Sequence, residues 1–201
     1  MIPSSEEVIK SSKLHPSRVK NIYCFGSRVY DTTSVDSDWD FIMVANTSTT
    51  NQEIKSGRFN IHVQTEDQFL KNLKEHHSST VEAFFTPSHF RIKEEVNFNW
   101  SPSIPSLRHS FSHISSNSWV KCKKKIEQGD YYIGVKSLFH SLRIPMFGIQ
   151  IIETGRIYNF SEANFIYNKI MSKNWTWEEV DSEFKPLRNS ILSKFRSTTQ
   201  K

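Results

Sequence analysis

Two stretches of the chain hold residue types suited to chemistry on phosphates: Phe25-Gly26-Ser27 and, after ten intervening residues, Asp38-Trp39-Asp40-Phe41. On a strand, residues two apart face the same way, so the carboxylates of Asp38 and Asp40 are expected on one face. Like charges held that close repel unless a cation lies between them. Magnesium takes oxygen ligands and shares its shell with substrate phosphates, so an aspartate pair suits it. Gly26 and Ser27 fall where a β-rich run gives way to a short helix. Glycine permits close backbone approach, free amides there receive a phosphate, and Ser27 adds a hydroxyl donor. Arg28, directly after, is a further phosphate candidate. Each piece alone is ordinary, since a Gly-Ser pair is commonly a turn and an Asp-x-Asp a solvated strand end. Strand, Gly-Ser, spacer and Asp-x-Asp followed at once by an apolar strand together point to a nucleotide-and-metal site.

The elements that must position these residues are legible as periodicities. Val19 to Phe25 and Trp39 to Val44 read as strands, as does Phe59-Asn60-Ile61-His62-Val63-Gln64. Asn46 to Asn51 reads as a loop. Residues 5–13 open as a helix with Ser4 or Ser5 as N-cap and acids in the first turn. Phe69, Leu70 and Leu73 sit at helical spacing, and Val81, Ala83, Phe84 and Phe85 begin another apolar segment. Asn97 to Pro105, with Pro102 and Pro105, is a plausible joint. Beyond it Ser106–Glu127, Tyr131 to about Glu153, Ser161–Met171 and Glu178–Phe195 read as helices, with Pro145 kinking the second and Gly155 capping it. The expected fold class is α+β: a small mixed sheet with helices over residues 1–100, then a helical bundle over 101–201.

Bulk properties agree with such a division. Of the charged residues, 1–100 hold 11 Lys/Arg and 13 Asp/Glu, while 101–201 hold 15 and 8. An acidic half that binds metal beside a basic half that binds phosphates is one reading of that asymmetry. Lys121, Lys123, Lys124 and Lys125 form a cluster suited to nucleic-acid backbone. Lys136, His140 and Arg143 share one helical face. No apolar run reaches the roughly 20 residues of a membrane span, and the opening residues lack the order of a signal peptide. Cys24 and Cys122 form no metal spacing. A soluble, intracellular protein is the expectation. No Walker loop, dinucleotide fingerprint or nucleophile elbow is present.

The Gly26-Ser27 and Ser37-Asp38-Trp39-Asp40 pattern resembles the signature of the polymerase β-type nucleotidyltransferase superfamily. Phe59 to Val63, Phe69 and Val81 to Phe85 are similar to its stand-alone branch of phages, large viruses and microbes. Lys124-Lys125, Gly134 through Lys136, His140 to Arg143 and Thr154-Gly155 extend the likeness, over about residues 15–196. The resemblance implies transfer of a nucleoside monophosphate from a nucleoside triphosphate, ATP for preference, to a hydroxyl with release of pyrophosphate. It implies magnesium at Asp38 and Asp40, with a two-metal site as an option, and the β/γ-phosphates at Gly26 and Ser27. Lys136 and Arg143 would hold the triphosphate or the acceptor. Members place a third carboxylate on the next strand, where this chain offers only Asn60 and His62, with Glu66 past the strand end. His62 is a candidate proton acceptor near neutral pH. The acceptor stays open among an RNA 3′ end, a protein hydroxyl and an aminoglycoside-like sugar. A catalytically weak or inactive protein binding nucleotide, RNA or a protein partner is the alternative, and a nucleic-acid module built on the lysine cluster a second.

Overall fold

Alternation of apolar and polar residues in the first half resolves, in a computed structural model describing residues 2–48 and 51–199, into five strands in one mixed sheet. The strands are β1 (Val19–Phe25), β2 (Trp39–Ala45), β3 (Gln52–Ser56), β4 (Phe59–Gln64) and β5 (Arg91–Glu94), in the order β3-β4-β2-β1-β5. β2 and β4 run parallel; every other neighbouring pair is antiparallel. Among the described residues, four α-helices belong to this part: α1 (Ser5–Ser12), α2 (Ser27–Tyr30), α3 (Glu66–Lys74) and α4 (Ser78–Phe85). The chain divides into two compact units, Met1–Ser101 and Pro102–Lys201.

Local chemistry explains where these elements start. Ser4 caps α1 and Glu7 reaches back to the Ser4 amide, a reciprocal pair that satisfies two otherwise unbonded N–H groups. β3 and β4 form a hairpin whose turn contains Gly57 at φ +57°, a conformation side chains with a Cβ resist. Neither β3 nor β5 was legible as a strand. β3 is polar with a single half-buried apolar residue, Ile54, because an edge strand buries little. Of the expected loop Asn46–Asn51, Thr49 and Thr50 lie outside the described residues.

Strand register sorts the side chains into two faces. Ile22, Cys24, Phe41, Met43, Ile61 and Val63 share one and are wholly buried. The opposite face carries Tyr23 and Phe25 from β1, Asp40 and Ile42 from β2, and Asn60, His62 and Gln64 from β4. One end of that face lies under α3, where Phe69 stacks on Tyr23 at 5.7 Å and Asn72 Nδ2 donates to Gln64 Oε1 at 3.2 Å. Its other end, at Phe25, Asp40, Asn60 and His62, is only half-buried.

The second unit is helical: α5 (Ile104–Glu127), α6 (Tyr131–Thr154), α7 (Asn164–Ile170) and α8 (Trp177–Ser197). Its core joins Cys122 and Ile126 to Leu138, Leu142, Ile166, Val180 and Phe184. α6 ends at Gly155 in the left-handed conformation and runs as one element through Pro145. Proline supplies no N–H, which leaves the carbonyl of Ser141 without its helical donor. The buried Ser115 hydroxyl of α5 donates to that oxygen at 2.7 Å, so the break in the ladder becomes a tie between helices. The helix expected over Ser161–Met171 is shorter. Asn159 Oδ1 accepts from both the amide and the hydroxyl of Ser161, holding a turn that competes with helix at that end.

Candidate active site

β1 ends at Phe25, which pairs with Asp40, and the chain then bends at Gly26 with φ +82° and ψ −158°. A Cβ on Gly26 would lie 2.8 Å from Asp40 Oδ2 and 3.4 Å from its Cβ and Cγ. The Asp40 carboxylate therefore rests directly against the bend. Only glycine accommodates both the torsion and the approach. α2 starts at Ser27, and the Gly26 carbonyl accepts from the amides of Val29 at 2.9 Å and Tyr30 at 3.2 Å. The amides of Ser27 and Arg28 precede the first of those bonds, the usual situation at a helix start.

Asp38 stands just before the first residue of β2 and is exposed, whereas Asp40, inside the strand, is half-buried. Arg28 braces the segment leading to them. Its Nη2 donates to the Ser37 carbonyl, and its guanidinium lies 4.7 Å from the Trp39 ring centre. Arg28 thus holds the residues on either side of Asp38, while its buried Nε has no hydrogen-bond partner.

Asn60 on β4 is the register partner of Asp40 and donates Nδ2 to Asp40 Oδ1 at 3.0 Å. Its own Oδ1 is buried without a partner. His62 lies two residues on, Nε2 3.4 Å from Asn60 Nδ2, its ring edge-on to Phe25 with centres 5.8 Å apart. The Asn60 amide nitrogen thus lies between Asp40 Oδ1 and His62 Nε2.

Two charged residues on this face escaped sequence reasoning. Lys55 and Glu53 of β3 are the register partners of Asn60 and His62, and they pair with each other at 3.3 Å. The alternation of Glu53 and Lys55 about Ile54, ahead of Gly57, is the signal that would have revealed them. Glu66 is the first residue of α3 and exposed, outside the strand.

Magnesium can be tested against these donors. Carboxylate oxygens of Asp38 and Asp40 suit a hard cation, and the orphaned Asn60 Oδ1 is an amide oxygen in want of a partner. In donor chemistry these residues suit magnesium. Among the described residues there is no group of three or more His, Cys, Asp or Glu that could hold a metal ion.

Cys24, on the other sheet face, is inert: burial pushes its thiol up, and the nearby Asp40 charge adds to that. Lys136 and Arg143 belong to the second unit. Lys136 is exposed beside Tyr132, with its ammonium 5.0 Å from that ring. Arg143 is buried, 5.4 Å from Phe139 and 5.5 Å from Phe147, and its Nη2 lies 3.0 Å from His140 Nδ1. In the lysine cluster, Lys123 pairs with Glu127 and Lys125 with Asp130, at 3.8 and 3.0 Å. Among the described residues no helix is long and apolar enough to cross a membrane.

Residues 6–104 match the family model of a nucleotidyltransferase domain. No curated protein sequence matches the chain. Among solved structures, a spectinomycin adenyltransferase from Enterococcus faecialis, determined with ATP and spectinomycin, is 13% identical with a TM-score of 0.49, covering 97% of this chain and 100% of its own. A nucleotidyltransferase-like protein from Exiguobacterium sibiricum 255-15 is 12% identical with a TM-score of 0.34, covering 96% and 90%.

Proposed function

From the membership of residues 6–104 in the nucleotidyltransferase domain family, we propose that this chain transfers a nucleoside monophosphate from ATP to a hydroxyl acceptor, with Asp38, Asp40 and the Gly26-Ser27 bend as its centre. The observation that carries this reading is the Asp40 carboxylate seated against Gly26. It brings the anionic, cation-seeking group and the amide-rich, phosphate-seeking bend to one place. Gly26 and Ser27 hold the β- and γ-phosphates through backbone amides and the Ser27 hydroxyl. Asp38 and Asp40 hold magnesium, which when bound offsets charge on the phosphate oxygens. Arg28 keeps the Ser37–Trp39 segment, and so Asp38, in place.

In the reaction an acceptor oxygen forms a bond to the α-phosphorus, and the bond from that phosphorus to the oxygen bridging to the β-phosphate breaks. Pyrophosphate leaves with the electron pair of the broken bond. The proton of the acceptor hydroxyl passes to a ring nitrogen of His62. Asn60 donates to Asp40 Oδ1 and lies beside the His62 ring.

Pyrophosphate release from labelled ATP, followed as magnesium is titrated, tests the reading. Asp40→Asn keeps the size of the side chain and removes its charge. Release is expected to fall about 10²–10³-fold, the scale seen when one electrostatic contact to a transition state is lost, with the circular dichroism spectrum unchanged. Release that ignores this substitution overturns the reading.

A second reading, binding without efficient turnover, is favoured by one feature: the register partner of Asp40 is an amide, not an acid. The same assay separates the two. Saturable magnesium–ATP binding with no pyrophosphate would support the second.

A further inference from the structure

The last turn of α4 and its cap residue Thr86 hold the Gly26-Ser27 bend from both sides. Upstream, β5 pairs with β1 no further than Arg91 opposite Tyr23. From there the Thr86 hydroxyl takes over, 2.7 Å from the carbonyl of Cys24, two residues before Gly26. Downstream, the Tyr30 hydroxyl donates to Glu82 Oε2. The Tyr30 amide in turn donates to the Gly26 carbonyl at 3.2 Å, so a residue fastened to α4 closes the turn that begins at Gly26. Glu82 and Thr86 are one helical turn apart, and the Thr86 hydroxyl also lies 3.2 Å from the Glu82 carbonyl.

Packing alone does not call for a carboxylate at this place. Glu82 is 1% exposed, and its neighbours Val81 and Ala83 are wholly buried. Taking an acid out of water is costly, and a buried polar pair is often no more stable than apolar residues of the same shape. What a hydrogen bond supplies and an apolar contact does not is direction. Tyr30 is the last residue of α2, and a helix of only four residues has little hold of its own on its orientation. We infer that Tyr30 and Glu82 are positioning residues for ATP: their buried hydrogen bond aims the backbone amides of Gly26 and Ser27 at the β- and γ-phosphates. The inference rests on the proposed nucleotide reading and adds to it two residues that act through the bend rather than on the phosphates themselves.

A double-mutant cycle on the full chain tests this, read by calorimetric binding of magnesium–ATP and by the thermal midpoint. Tyr30→Phe removes one hydroxyl and should weaken binding about tenfold, the scale of a hydrogen bond to a charged group. Glu82→Met keeps the length of the side chain, removes the acceptor and should do the same. The two replacements together should weaken binding no further than either alone, because the residues act as a unit. The thermal midpoint of the double variant should be unchanged or raised, since both polar partners are gone. Glu82→Gln, which still accepts from Tyr30, should bind within roughly threefold of the unmodified chain. Three results overturn the inference: binding that the double replacement leaves intact, losses that add, or a loss of binding in the double variant matched by a lower thermal midpoint. An unmodified chain that binds no magnesium–ATP refutes the nucleotide reading and the positioning with it. One that binds it, with an affinity indifferent to the pair, refutes the positioning alone.

Discussion

At the scale of single residues, the site depends on a glycine that cannot be replaced and an arginine whose contacts are local. Gly26→Ala would put a methyl group 2.8 Å from Asp40 Oδ2 in a backbone region that L side chains rarely adopt. The expected cost is about 1–3 kcal/mol of stability, read as a lower thermal midpoint, together with loss of magnesium–ATP binding in calorimetry. Arg28→Lys keeps the charge but not the planar fork that reaches the Ser37 carbonyl while lying over Trp39. Loss of that bond is expected to cost about 1.5–3 kcal/mol. Half-saturation of pyrophosphate release by magnesium should move to higher concentration, because the backbone carrying Asp38 is loosened. A response confined to the thermal midpoint, with metal dependence unmoved, would limit Arg28 to packing.

At the scale of elements, parallel pairing of β2 with β4 is what sets Asn60 against Asp40, and the β3–β4 hairpin adds Lys55 and Glu53 to the same face. Strand periodicity made β1, β2 and β4 readable because each buries an apolar row. It could not show β3 or β5, which lie at the sheet edges and bury little. In the helical unit, Gly148 of α6 sits where an added Cβ would fall on the Phe195 ring of α8. Gly148→Ala should therefore cost about 1–3 kcal/mol by overpacking, seen as a lower urea midpoint, even though alanine is the better helix former.

At the scale of the whole molecule, two imidazoles whose pKa values are lowered by loss of water, His76 and His140, should shape the response to acid. Burial lowers the His140 pKa from 6.5 to about 3, with the Arg143 and Lys121 charges acting in the same direction. Below pH 6.5 the unfolded chain takes up a proton that the folded chain refuses until about pH 3. Stability is therefore expected to fall as the pH drops through that window. His140→Gln, which cannot titrate but can still accept from Arg143, should show a smaller loss in urea midpoint between neutral and acidic buffer. An equal loss in both proteins would remove His140 from the account.

The sequence by itself determined the Gly-Ser bend, the aspartate pair, the sheet-then-helices order and the absence of an acid on β4. These are local properties: torsional freedom, spacing and periodicity are written into neighbouring residues. Only the tertiary structure decided that Asp40 lies against Gly26, that Asn60 donates to Asp40, and that Arg28 is occupied with Ser37 and Trp39. Such contacts depend on strand register and on which strand ends up beside which, and those are set by burial summed over the whole sheet, which no short stretch of sequence contains.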